Sequence, residues 1–134
     1  DFSDSVTSAT LGIAQVFWGL DKRLAQRKHF PSINIDCSYS KYLDVLEPYY
    51  VGEDPDFVRC RRICTEVLHR DREIYEIVQL VGRGSLSEQE KLVLDIARLI
   101  RDDYLQQNGY SSHDRYCPFV KTRLMLRNII SYYE

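Results

Sequence analysis

Residues 54–82, DPDFVRCRRICTEVLHRDREIYEIVQLVG, decide the fold class of this chain. Asp54-Pro55 reads as a helix start, with the aspartate as N-cap and the proline at the first helical position, where a missing N–H costs nothing. Beyond it Phe57, Cys60, Cys64, Val67, Ile74, Val78 and Val81 recur at steps of three, four or seven, so they form one buried stripe across one or two helices. Gly82 supplies the stop. Downstream, Ser87-x-x-Glu90 is a capping box that opens a second helix carrying Leu92, Ile96, Leu99, Ile100 and Tyr104 on one face. After a polar loop at 111–115, residues 118–133 give a last helix with Phe119, Leu126, Ile130 and Tyr133 as its stripe. Upstream, residues 39–50 read as a short helix ending near Pro48. These stripes cover one another only in a helical bundle, so the fold class is mainly α.

The first third of the chain has a different pattern. Asp4 or Ser5 caps a short helical turn, and the bulky apolar run from Ile13 to Leu20 reads as a buried strand. Asp21 then caps a short basic helix with Lys22, Arg23, Arg27, Lys28 and His29 on a solvated face, which Pro31 helps to end. A strand followed by a helix suggests the tail of an α/β unit. Since a fully apolar strand is normally covered on both sides, one face of Ile13–Leu20 is expected to lack its cover, as in a piece cut from a larger domain.

Size and charge narrow the function classes. The chain has 134 residues, 44% of them hydrophobic, enough for one packed core. A formal charge of −2 gives no electrostatic case for nucleic acid. No apolar run approaches the roughly 20 residues of a membrane-spanning helix, so no direct membrane insertion is expected. Nothing marks secretion, and the default for the four cysteines is reduced thiols in the cytosol. Cys60 and Cys64 stand one helical turn apart, outside the usual zinc-pair spacing, and read as small buried apolar groups; a zinc-dependent domain would require metal in the purified protein.

The run DFSDSVTSATLGIAQVFWGLDKRLAQRKHFPSIN, residues 1–34, together with EIVQLVG at 76–82, SLSEQEKL at 85–92 and DDYLQQN at 102–108, resembles the catalytic A subunit of V-type rotary ATPases over essentially the whole chain. The resemblance implies that residues 1–35 are the tail of a nucleotide-binding (P-loop ATPase) domain and residues 36–134 a helical C-terminal domain. In that family ATP hydrolysis at the interface with a B subunit drives a rotor shaft and proton transport, in a cytoplasmic, peripheral sector of a membrane-bound complex. Gly82-Arg83-Gly84 is too short for the phosphate-gripping GxxxxGK[ST] loop. The family's phosphate loop and catalytic glutamate precede this segment. Mg-ATP therefore belongs to the full-length subunit, no catalytic residue or cofactor is expected in the chain alone, and its ATP affinity is expected to be millimolar at best.

Two groups of residues are singled out by the same resemblance. Phe30 and Tyr110 fall where the family places an aromatic slot for adenine, a flat apolar face suited to stacking; by sequence alone they are ordinary half-buried aromatics. Leu86, Ser87, Glu88 and Glu90 fall on the acidic loop that presses on the central rotor shaft; by sequence alone they form a solvated acidic helix start. Ser5 stands where the family has proline, Tyr110 where it commonly has phenylalanine, Gly109 where alanine is frequent, and Ile35-Asp36-Cys37 where a tryptophan is common. The rival reading is a free-standing, non-catalytic helical module, a shortened paralogue that binds ATPase subunits.

Overall fold

The computed structural model describes residues 3–134; the first two residues of the DFSDS motif lie outside them. Helix α1 (Ser5–Ile13) is capped by Asp4, whose carboxylate accepts from the Thr7 N–H at 3.1 Å. Ser5 is its first helical residue, the position a proline suits best, and the helix forms without one. Strand β1 (Val16–Leu20) follows, then helix α2 (Lys22–Gln26), strand β2 (Ile33–Ser40) and helix α3 (Leu43–Glu53). The two strands pair antiparallel, Val16 opposite Ser40 and Leu20 opposite Ile33. Ile13 ends a helix and is not part of the strand, which is largely uncovered: Val16, Trp18 and Leu20 are exposed on one face. Gly19 faces the partner strand so closely that a Cβ there would lie 2.2 Å from the Cys37 sulfur.

Two expectations fail between residues 33 and 53. Strand β2 takes residues 39 and 40, the first two of the stretch that reads as a helix, and that helix begins only at Leu43. Pro48 also does not end its helix but lies inside α3. It is tolerated because α3 buries no residue, so the carbonyl deprived of its partner N–H faces water.

The bundle is made by helices α4 (Phe57–Val81), α5 (Glu88–Leu99) and α7 (Phe119–Tyr133). The stripe read from the sequence is one continuous helix, α4, with Phe57, Cys60, Cys64, Val67 and Ile74 buried. Val81, expected in the stripe, is exposed because α4 runs past its neighbours before Gly82 stops it with φ at 83°. Ile74, Ile96, Ile100 and Ile130 are all 0% exposed and form the centre of the core. Each such side chain contributes about 1.5–3 kcal/mol by leaving water. Helix α5 continues directly into a π-helical segment, Ile100–Leu105. The loop expected at 111–115 contains a short helix, α6 (Ser112–Arg115), capped by Ser111.

One end of the bundle is closed by charge. Asp54 is 4% exposed. Its carboxylate accepts from the Asp56 N–H at 3.1 Å within the turn before α4; Asp54 is not the N-cap expected, because α4 begins at Phe57, two residues after Pro55, with Asp56 in the N-cap position. The Asp54 carboxylate is held by Arg123 at 3.1 Å and Arg127 at 2.5 Å from α7. Arg59 joins Asp56 at 2.6 Å and also reaches Glu134. Beside this clamp the rings of Tyr50, Phe57 and Phe119 pack together, Phe57 edge-on to Phe119 at 4.9 Å.

The packing is testable at its centre and at its charged end. Ile96→Ala opens a cavity at the centre of the bundle and is expected to cost about 2–5 kcal/mol in urea unfolding; a loss within error would mean that the core closes elsewhere. Burial pushes the Asp54 carboxyl up, but the Arg123 and Asp56 N–H hydrogen bonds and the charges of Arg127 and Arg123 outweigh it and hold it below its ordinary 3.8. A depressed carboxyl stabilises the fold above the unfolded value, and that stability is lost as pH falls through the folded value. The wild-type urea midpoint is therefore expected to hold down to about pH 5 and to fall below about pH 4. Asp54→Asn is expected to start lower at neutral pH and to lose less on acidification; parallel profiles for the two proteins would count against the clamp.

Candidate functional site

The loop carrying Phe30 is shaped by the end of α2. Asp21 caps that helix by accepting from the Arg23 N–H at 2.7 Å. The helix is stopped by Lys28, whose φ of 59° lies in the left-handed region, and not by Pro31. The His29 N–H then bonds the Leu24 carbonyl at 3.0 Å. This reversal turns His29 inward and Phe30 outward. His29 is buried, so it does not belong to the solvated basic face, which consists of Lys22, Arg23, Arg27 and Lys28. Phe30 precedes a cis peptide bond to Pro31 and is 52% exposed.

The loop carrying Tyr110 leaves the π-helical segment. The Gln107 N–H donates to the Phe30 carbonyl at 2.7 Å, joining the two loops through the backbone. The Asn108 side-chain oxygen accepts from the Tyr110 N–H at 3.0 Å, and the Asn108 N–H bonds Asp114 at 2.8 Å. Arg115 reaches the Gly109 carbonyl at 2.9 Å, while Lys121 pairs with Asp114 at 2.7 Å. Gly109 has open space around it and no positive φ. The loop around Gly109 is held by this set of bonds. Tyr110 itself is 96% exposed, which leaves its hydroxyl to water. The two expected adenine residues stand on adjoining loops with their rings turned outward.

The second group is built on the capping box. Ser87 Oγ accepts from the Glu90 N–H at 3.3 Å, and Glu90 accepts from the Ser87 N–H at 2.9 Å and from its hydroxyl at 2.8 Å. These bonds from Ser87 hold the Glu90 carboxyl below its ordinary value. Glu88 is exposed and pairs with Lys91 at 2.7 Å. Leu86 differs from its expected role: it is 7% exposed and packs in the core. An apolar side chain between a polar turn and a helix start gains more from the core than from solvent, so it anchors the loop and offers no outward contact. The surface beside the loop contains what sequence reasoning misses. Ile77, Leu80 and Val81 are exposed at the end of α4. Their signal is the apolar run before Gly82, of which only Val81 belongs to the stripe read as buried.

Cys60 and Cys64 are buried in the bundle, and burial pushes the Cys64 thiol up to about 11. Among the described residues no group of three or more His, Cys, Asp and Glu side chains is arranged to hold a metal. The departure at Ile35-Asp36-Cys37 has a structural use. Asp36 meets Arg72 at 3.2 Å and His69 at 3.6 Å, docking β2 on α4.

Comparisons with known proteins agree on one family. Residues 46–134 match the family described as the C-terminal domain of V and A type ATP synthase. Over all 134 residues the chain is 68% identical to the catalytic A subunit of the V-type proton ATPase of Encephalitozoon cuniculi (strain GB-M1) and 60% identical to that of Trypanosoma congolense. In both cases the whole of this chain spans 22% of the relative's length. The fold is that of a solved ATP synthase subunit, NeqB from Nanoarcheaum equitans, with a TM-score of 0.79 at 22% identity, covering 100% of this chain and 33% of that one. The matched residues include both the α4 stripe and the capping box, and the chain belongs to the family of C-terminal domains of V and A type ATP synthases.

Proposed function

We propose that this chain works as the C-terminal part of the catalytic A subunit of a V-type rotary ATPase, in which ATP hydrolysis drives rotor rotation and proton transport. The observation that carries this reading is the 60–68% identity to catalytic A subunits across all 134 residues. It gives no support to the shortened, non-catalytic paralogue. Mg-ATP would be gripped and cleaved by other parts of the subunit at its interface with a B subunit. This chain supplies no acid, base or nucleophile to that step. Its place would be the cytoplasmic, peripheral sector; no helix among the described residues is long and apolar enough to cross a membrane.

Phe30 and Tyr110 would form one wall of the adenine slot. The backbone bond between their loops supports this, since it gives both rings a common base. Ser87, Glu88 and Glu90 would form the rotor-facing loop, with Leu86 as its internal anchor and Ile77, Leu80 and Val81 adding an apolar apex. A rotor shaft is the fitting occupant, because a charged rim beside an apolar apex suits transient sliding contact better than permanent burial. The rigid α4–α5–α7 core would transmit closure of the nucleotide site to that tip as a lever. Strand β2 pairs with β1 as far as Ser40 and the family match begins at residue 46. The nucleotide-binding part would end between residue 35 and the start of that match.

The test uses the full-length subunit in its assembled complex. Phe30→Ala and Tyr110→Ala are each expected to raise KM for ATP by roughly 5- to 150-fold, the equivalent of losing one base stack, with a smaller effect on kcat. Tyr110→Phe should be nearly silent. Unchanged KM in both alanine variants would remove the adenine role. A second measurement addresses the tip: Leu80→Ala with Glu88→Lys is expected to reduce proton transport per ATP hydrolysed, and unaltered coupling would remove the rotor role.

A further inference from the structure

His29 is 6% exposed, and its ring lines a cleft of about 240 Å³ between the α2–β2 segment and the bundle. Ionisable groups surround it from every packed element: Asp21 and Arg27 at the ends of α2, Asp36 on β2, Asp71, Arg72 and Tyr75 on α4, and Arg101 and Asp102 on the π-helical segment. Most of these charges are already committed. Asp71 holds Arg101 at 2.6 Å, and Asp36 holds Arg72 at 3.2 Å. The backbone on either side of the ring is pinned, by the His29 N–H on the Leu24 carbonyl and by the Phe30 carbonyl on the Gln107 N–H.

We infer that His29 is a positioning residue for Phe30: its ring, wedged in the cleft beneath the loop, keeps the Phe30 carbonyl on the Gln107 N–H and so fixes where the Phe30 ring stands. The relevance to ligand binding rests on the adenine reading of Phe30; the mechanical role does not. A wedge of this kind works only while neutral. Burial, then the charges of Arg27 and Arg101, press the imidazole below its ordinary 6.5, with Asp102 opposing them. The clasped loop thus binds fewer protons than the open one. It is complete above the ordinary value and weakens as pH falls below it.

The test is hydrogen exchange of the Gln107 amide in the 134-residue chain, followed by NMR and corrected for intrinsic exchange, with the Ile96 amide as a control for the core. Between pH 7.5 and 5.5 the Gln107 protection factor is expected to fall, by at most about tenfold for one titrating group, while Ile96 stays constant, as local opening requires. His29→Phe keeps the volume without a titrating group and should remain protected at both pH values; His29→Ala should be poorly protected at both. Equal wild-type protection at the two pH values, or a fall that persists in His29→Phe, overturns the inference. The KM of the Phe30→Ala and Tyr110→Ala variants of the assembled complex separates the two readings. A raised KM, with Gln107 behaving as expected, supports both. An unchanged KM, with Gln107 behaving as expected, removes the adenine reading and leaves the role of His29 standing.

Discussion

Four isoleucines with no exposed surface, Ile74, Ile96, Ile100 and Ile130, fix the mutual positions of α4, α5 and α7, and everything else in the molecule hangs from that seam. The seam decides where α5 ends and the π-helical segment begins, and hence where the Gln107 N–H emerges. From Gln107 the constraint passes to the Phe30 carbonyl and to the loop that α2 feeds. At the opposite end of α5 the same packing draws Leu86 inward and presents Ser87 and Glu88 outward. The two candidate surfaces thus lie at opposite ends of one helix, which is the geometry a lever requires. Neither surface needs to be rigid by itself, because the core between them is.

Hydrophobic burial cannot orient α7 alone, since a stripe of leucine and isoleucine tolerates sliding. Orientation comes from Asp54. A carboxylate this deeply buried is unfavourable unless its oxygens are occupied, and here both Arg123 and Arg127 must sit one turn apart on α7 to occupy them. The aromatic cluster of Tyr50, Phe57 and Phe119 adds bulk beside the clamp. Specific charge and non-specific area therefore divide the work: one sets the register of α7, the other keeps it attached.

The bundle is legible in the sequence because its signals are local and redundant. The α4 stripe, the capping box and Gly82 each report on a few neighbouring residues, and the structure repeats them. The sheet has a short signal. In INIDCSYS the apolar Ile33, Ile35, Cys37 and Tyr39 alternate with the polar Asn34, Asp36, Ser38 and Ser40, a period of two that marks β2, but its end overlaps residues 39–50, which read as a helix. Pro48 misleads because the rule against internal proline assumes a carbonyl that has nowhere else to bond. His29, Leu86 and Val81 fall on the opposite side of the surface from the one their pattern implies, and for a common reason. Whether a side chain at the end of an element points inward depends on where the neighbouring element stops, and that is tertiary information. Asp54 reads as the cap of α4, a position that Asp56 holds, and its two arginine partners lie too far along the chain for spacing to reveal them. The family resemblance supplies the expected roles of Phe30, Tyr110 and the 86–90 loop, which composition and periodicity cannot.

The Asp54 clamp joins residues 73 positions apart in the chain, and this has a consequence for synthesis. On the ribosome Asp54, α4 and α5 emerge well before Arg123 and Arg127 exist. Until α7 arrives, the turn at Asp54 cannot bury its carboxylate without leaving a charge unpaired, so that end of α4 must stay hydrated and open. The bundle is therefore completed from its last helix backwards, and the exposed stripe of α4 must be kept from other chains during the interval.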